Sequence, residues 1–491
     1  MQNTIVPAAG ASGAPSTLFI DGDWRAAGSG ETFASIDPAT GEHVGDVSAA
    51  DAADVTAAVR SARAAFDERR WTRLPYPRRA EIMFDIADRI DAAAEELAVA
   101  EVRENGMPLA GALRTIQNGA QAFRYYGGWV GKIRGETGEV APGEAYHAFT
   151  VKEPVGVAAL IVPWNGPFML ACHKLAPALA AGCAIVLKPA EDTSLNTAAL
   201  VRIAVEAGVP RGVVNMVTGL GTVTGQALAD HPDVDKISFT GSTATGRTLV
   251  RAAAGNFKRL SLELGGKSPV IVMDDADLEL AVPGVLTGIM SNSGQACIAG
   301  SRLYAQRGIY DRLVDAVSEA ASKLVVGNGM AEGTQMGPVI SRRQLDRVLG
   351  YIDSGVAEGA RVTTGGSRVG DTGFFVEPTV LADVPAGAKV VREEIFGPVL
   401  SAMPFDDLDW AIAQANDSPY GLGGSVYTRS LATAHTVARA VRAGTFWINT
   451  GRPQDFTMPF GGYKESGWGR EGGLQGVEAY LETKSVIARL Y

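Results

Sequence analysis

Val157-Ala158-Ala159-Leu160-Ile161-Val162 is an unbroken apolar run, and Ala184-Ile185-Val186-Leu187 repeats the pattern further along the chain. A strand that is apolar at every position is buried on both faces, the condition of a central strand in a parallel sheet. Val213-Val214-Asn215-Met216-Val217 and Lys236-Ile237-Ser238-Phe239 follow, each leading into a helix. Alternation of strand and helix implies a parallel, doubly wound sheet, because parallel neighbours need a crossover. A second such series starts near Pro269-Val270-Ile271-Val272 and runs to Thr445-Phe446-Trp447-Ile448. The expected fold class is α/β, with two doubly wound parallel-sheet domains and a hinge near residues 263–268.

Outward from these runs the signals weaken. Residues 17–48 read as short strands with turns at Asp21-Gly22-Asp23 and Thr40-Gly41. Three helices are expected next: one capped by Asp51, one opened by Pro77-Arg78, and one from about Leu109 to Tyr126. Residues 136–152 read as a strand pair, and Ser485-Val486-Ile487-Ala488 as a short terminal strand; neither has an obvious home in the two sheets. Residues 1–16, rich in Ala, Gly, Ser and Pro, read as a mobile tail. No internal repeat is apparent.

Composition bounds the function. Hydrophobic content of 46% and charged content of 20% are those of a soluble globular protein. No apolar run approaches the ~18 residues that span a bilayer, and no basic leader or arginine-rich transit segment is visible. Three cysteines cannot build a disulfide framework, so a cytoplasmic, reducing location is expected. The net charge of −10 disfavours a nucleic-acid surface, and the histidines at 43, 147, 173, 231 and 435 are too scattered for a metal site.

Of the cysteines, Cys172 and Cys183 lie in apolar runs and read as small core residues. Cys297 lies in the polar turn Ser293-Gly294-Gln295-Ala296-Cys297-Ile298-Ala299-Gly300-Ser301-Arg302, where a substrate can reach it. Glu263-Leu264-Gly265-Gly266-Lys267-Ser268-Pro269 stands upstream and Glu393-Glu394-Ile395-Phe396-Gly397-Pro398 downstream. No Gly-x-Gly-x-x-Gly fingerprint follows the first strand. In Phe239-Thr240-Gly241-Ser242-Thr243, however, a strand ends in a turn that starts a helix. That start suits a phosphate, although Ser and Thr are favoured helix caps in any case.

These strings, with Pro163-Trp164-Asn165, Lys188-Pro189-Ala190-Glu191, Trp447-Ile448-Asn449 and Pro459-Phe460-Gly461-Gly462-Tyr463-Lys464-Glu465-Ser466-Gly467, resemble the aldehyde dehydrogenase superfamily in order and approximate spacing, over nearly the whole chain. The resemblance implies oxidation of an aldehyde to a carboxylate through a thiohemiacetal and a thioester. Cys297 would be the nucleophile, Asn165 an oxyanion donor and Glu263 the base for deacylation. Lys174, Glu465 and Glu471 would be candidates for a proton path. It implies NAD contacts by Ile161, Val162, Pro163, Trp164, Lys188, Ala190, Glu191, Gly221, Gly225, Phe239, Gly241, Ser242, Leu264, Gly265, Glu394 and Phe396. Glu191, facing a 2′-phosphate, favours NAD over NADP, while Lys188 argues the other way. The alternatives are a CoA-acylating relative, which generally lacks the Glu263 base, a non-catalytic binding or structural protein on the same scaffold, and a cysteine esterase.

The implied organisation is an NAD-binding domain from 1–134 and 153–262 and a catalytic domain from 263–449. Residues 135–152 and 470–491 would form an oligomerisation element, and 450–469 a substrate-mouth loop and return crossing. A homodimer or homotetramer is expected, acting on a small-molecule aldehyde with no nucleic acid, membrane or metal. Gly166, His173 and Ser291 stand where bulky aromatics often line the mouth, so a roomier, more polar tunnel is expected. Arg452 could pair with an anionic aldehyde or simply be solvated.

Overall fold

The computed structural model describes residues 17–490; the stretch 1–16, read above as a tail, lies outside them. Two large sheets dominate. The first has eight strands in the order Asp23–Arg25, Leu18–Ile20, Val214–Met216, Ala184–Lys188, Val157–Ile161, Lys236–Thr240, Arg259–Glu263 and Gly467–Trp468. The five central strands are parallel, and the edges at Leu18–Ile20 and Gly467–Trp468 join antiparallel. The second sheet runs Arg361–Thr364, Thr379–Ala382, Val399–Phe405, Arg302–Gln306, Pro269–Val272, Gly423–Tyr427 and Thr445–Ile448. It is parallel except at Arg361–Thr364.

Both sheets are apolar on both faces, as the unbroken runs require. Ala158, Leu160, Ile185 and Leu187 join one core with the helices Tyr76–Ala92, Leu109–Gly127 and Pro167–Ala181. Val157, Ala159, Ile161 and Val186 join another with Ala52–Asp67. The parallel strands of the first sheet start at Val157–Ile161 and build one way to Val214–Met216. The chain then returns to the other side at Lys236–Thr240. That reversal opens a crevice beyond the carboxyl ends of the strands, where open α/β sheets bind ligands.

The helix count is revised, and two expectations gain detail. Four helices, not three, precede residue 128, because Ala94–Asn105 is separate. Its break at Ala93 carries no Gly or Pro, so the sequence does not mark it. The strand Arg259–Glu263 belongs to the first sheet, which places the crossing after Glu263. The strands without a home pair with each other. Tyr146–Pro154 runs antiparallel to Leu481–Arg489 from Tyr146↔Arg489 to Pro154↔Leu481, and Thr137–Gly138 completes the small sheet.

The Gly467–Trp468 edge closes on Glu263, and Gly467 sits at φ 140°. A Cβ there would overlap the Leu262 carbonyl. Gly467→Ala is therefore expected to destabilise the protein by about 1–3 kcal/mol, read as a lower melting temperature. An unchanged melt would show that this edge is not held by the pairing.

Candidate active site

The turn before Cys297 is strained. Asn292, Ser293 and Gly294 are successive left-handed residues, at φ 51°, 54° and 71°, a conformation that non-glycine residues keep only when the surroundings enforce it. Here Ser293 Oγ donates to the Gly337 carbonyl at 2.8 Å, and the Ile340 N–H donates to Gln295 Oε1 at 2.8 Å. Asn165 reaches the turn from the other sheet. Its Nδ2 donates to the Gln295 carbonyl at 2.9 Å, and Asn292 Nδ2 donates to the Asn165 carbonyl at 2.7 Å. The Asn165 amide carries a second N–H. Asn165 can sit here because Val157–Ile161 ends at the crevice and Pro167 starts the next helix.

Glu263 ends the strand Arg259–Glu263. It is buried, and neither carboxylate oxygen has a partner. Desolvation, then the nearby Glu471 charge, pushes its carboxyl well above the usual range, against Lys174 and Arg470. A dry, unpaired carboxyl is a stronger base than one in water. Cys297 is pushed up to about 12, first by burial and then by the charges of Glu394 and Glu263, while Arg452 pulls it down.

The crossing segment brings these groups together. A Cβ on Gly265 would overlap the Glu394 carboxylate, and one on Gly266 would overlap the Cys297 carbonyl. Gly266 N–H donates to Glu394 Oε1 at 2.9 Å. Burial raises Glu394 to about 7, opposed by that N–H, Lys267 and Arg347. Phe396 is half-exposed at φ 62°, with its ring edge-on to Trp164 at 5.2 Å, so it is no ordinary core aromatic.

The remaining sequence-derived cofactor residues lie along the carboxyl edge of the first sheet. Ile161 ends its strand, and Val162 N–H donates to the Lys188 carbonyl at 2.9 Å, with Pro163 following. Lys188 is buried, donates to the Pro189 carbonyl at 2.9 Å and stands 4.0 Å from the half-exposed Glu191, just past Ala190. Nothing lies within 4 Å of a Cβ on Gly221, and only the Lys188 stem meets one on Gly225, at 3.8 Å. Phe239 and Gly241 end the next strand, with Gly241 N–H on the Glu263 carbonyl at 3.0 Å. Ser242 caps the helix Thr243–Ala253 by accepting from Thr245 N–H at 3.1 Å. Leu264 N–H donates to the Ser466 carbonyl at 2.9 Å. A bare glycine surface, a helix start and a Lys–Glu pair around one crevice fit a dinucleotide.

Lys174 and Glu471 are ion-paired, and Ser238 Oγ bridges them at 3.0 and 3.2 Å. Glu465 lies elsewhere, in an exposed pair with Arg247 at 2.6 Å. Around His173 the surroundings are partly aromatic. His173 is neutral, its pKa lowered to about 4 chiefly by burial, and its ring lies 5.8 Å from Phe456. Phe456, from the loop before Pro459, also meets Tyr125 of the helix Leu109–Gly127 at 5.8 Å. Sequence reasoning missed Phe456, Tyr125, Ser238 and Gln295, which lie far from their partners in the chain. It also missed Lys267, buried with Nζ unpartnered and its pKa lowered to about 7, chiefly by burial.

A model of the Aldehyde dehydrogenase family matches residues 24–486. The chain is 44% identical over 475 residues to an aldehyde dehydrogenase of Enchytraeus buchholzi, covering 96% of this chain and 95% of that one. It is 42% identical over 475 residues to the mitochondrial benzaldehyde dehydrogenase of Antirrhinum majus, covering 96% and 89%. An aldehyde dehydrogenase from Bacillus cereus, solved as an NAD+ complex, matches with TM-score 0.95 and 44% identity over 96% of both chains.

With its thiol raised to about 12, Cys297 is expected to be alkylated by iodoacetamide slowly at neutral pH and faster as pH rises. Above the raised Glu263 pKa that carboxylate opposes the thiolate, so Glu263→Gln should speed alkylation at alkaline pH. Slower alkylation would mean that Glu263 deprotonates the thiol.

Proposed function

The chain belongs to the aldehyde dehydrogenase family, and on that premise we propose that it oxidises an aldehyde to the carboxylate with NAD, through a thiohemiacetal and a thioester on Cys297. The observation that carries this reading is the Glu263 carboxyl, dry and unpartnered, electrostatically coupled to a cysteine in a strained turn.

The Cys297 thiol gives its proton to solvent water and adds as the thiolate to the aldehyde carbon, and the new O⁻ takes hydrogen bonds from the Asn165 amide and the Cys297 N–H. Removal of one such donor typically costs ~10²–10³ in rate. NAD, when bound, supplies the acceptor for the hydride that leaves as the adduct collapses to a thioester. Glu263 then takes a proton from water, the hydroxide attacks the thioester, and Cys297 departs as thiolate. Lys174 and Glu471, bridged by Ser238, carry the proton from Glu263 onward.

When NAD binds, Glu191 and Lys188 would hold the adenosine ribose and the helix start at Ser242 the pyrophosphate. Glu394, Phe396 and Trp164 would hold the nicotinamide end. Gly221, Gly225, Gly241 and Gly265 leave room, and Ile161, Val162, Pro163, Ala190, Phe239 and Leu264 form the walls. The proposed domains are a cofactor domain of residues 1–134 and 153–262 and a catalytic domain of 263–449 carrying Cys297, with Glu263 ending a strand of the first sheet. Among the described residues no helix is long and apolar enough to cross a membrane. The three free thiols accord with a cytoplasmic location.

Cys297→Ala is expected to abolish NADH formation while NAD still binds. Glu263→Gln should give one burst of NADH per site and then little turnover, and the intact enzyme should favour NAD over NADP. Equal loss of burst and steady state in Glu263→Gln would remove Glu263 from deacylation.

The strand Leu481–Arg489 pairs on one side only among the described residues, and an open edge invites another chain. The small sheet is proposed to join subunits in a homodimer or homotetramer. Sedimentation velocity is expected to show at least a dimer, and an active monomer would exclude it.

A further inference from the structure

We propose that Arg452 is the receptor for a negatively charged group on the substrate, so that the aldehydes this enzyme takes best carry a carboxylate. The proposal rests on the aldehyde-oxidising reading and adds the substrate class to it.

Arg452 lies in the loop between Thr445–Ile448 and Pro459, and that loop is pinned on both sides of it. Tyr427 Oη donates to the Thr450 carbonyl at 2.8 Å, and Trp447 Nε1 donates to the Pro453 carbonyl at 3.0 Å. The guanidinium is thereby held over Gly288, where a Cβ would stand 3.7 Å from Nε. Nη2 donates to the Thr287 carbonyl at 3.3 Å, while Nε and Nη1 are closed to solvent and have no acceptor. Among the described residues no carboxylate pairs with Arg452. Asp455, the acid of the same loop, accepts instead from Thr457 N–H at 2.8 Å.

A desolvated cation with unmet donors is costly unless something arrives to pair with it. Gly288, under the guanidinium, accepts at its carbonyl from Gly300 N–H at 3.0 Å, three residues beyond Cys297, so the cation stands by the cysteine segment and the missing partner is assigned to a molecule bound at the sulfur. An anionic aldehyde also needs such a cation. The chain carries a net charge of −10, so an anion entering the mouth gains from a local cation. Arginine suits the task because its planar donor set pairs with carboxylate geometry and it stays charged at neutral pH.

The test compares NADH formation from matched aldehydes, adipic semialdehyde against hexanal and carboxybenzaldehyde against benzaldehyde. The intact enzyme is expected to favour the carboxylated member of each pair. Arg452→Gln should lower kcat/KM for that member about a hundredfold more than for the neutral one, mainly through KM, the neutral member sharing only the loss of the guanidinium's pull on the Cys297 thiol. Arg452→Lys should recover part of the loss. The proposal is overturned if the intact enzyme prefers the neutral members. It is equally overturned if both members fall by the same factor in Arg452→Gln, which would make Arg452 a support for the Cys297 thiolate. Protection of Cys297 from iodoacetamide by adipate, measured without cofactor, gives a readout free of turnover and should disappear in Arg452→Gln. If neither aldehyde yields NADH but adipate still protects through Arg452, the dehydrogenase reading fails and the anion receptor stands. Absence of Arg452-dependent protection in the folded intact protein overturns the receptor.

Discussion

The first crossing between the sheets, from Glu263 to Ser268, constrains everything else in this molecule. Glu263 is the last residue of one sheet's strand, and Pro269 is the first of the other's. Between them the backbone must pass against Cys297 and the Glu394 carboxylate, and only residues without side chains can do so. The pass is held from outside by Ser466, whose Oγ donates to the Gly265 carbonyl at 2.6 Å, and by buried Arg302, whose Nε donates to the Lys267 carbonyl at 2.8 Å. Two sheets that could each fold around their own cores are thereby brought into one register. The groups that meet at the seam are those that sequence resemblance assigns to chemistry.

Dryness sets the electrostatics of that seam. Burial drives Glu263 and Glu394 up and Lys267 down, so acids and base alike are held toward their neutral forms. The Cys297 thiol is raised by the same burial and by the carboxylates around it. A reaction that creates an oxyanion here gains more from each fixed donor than it would in water, because little solvent competes for the charge. The strained turn at Asn292, Ser293 and Gly294 serves the same end by holding Gln295, two residues before Cys297, on the Asn165 amide.

Legibility in the sequence tracked the range of the forces involved. The apolar runs 157–162 and 184–187 announced central strands because burial on both faces leaves no room for a polar residue. The Asp51 cap was legible because its bonds go to Ala53 and Asp54, next door in the chain. The break at Ala93 was not, since nothing local enforces it. Arg259–Glu263 was missed as a strand because charged residues begin and end it and its burial comes from its neighbours. Glu465, drawn toward the site by its place in a motif, is instead held at the surface by Arg247.

By itself the sequence determined the α/β class, the two sheet series and the residue types that must meet, because periodicity and short motifs are local properties of the chain. Only the tertiary structure decided which of those residues meet. Lys174 finds Glu471 across 297 positions, and Asn165 reaches Gln295 across 130. Arg452 loses its solvent because Thr287, Gly288, Tyr427 and Trp447 close around its loop. Charge, burial and donor geometry at such places arise from long-range packing, and no window of sequence contains them.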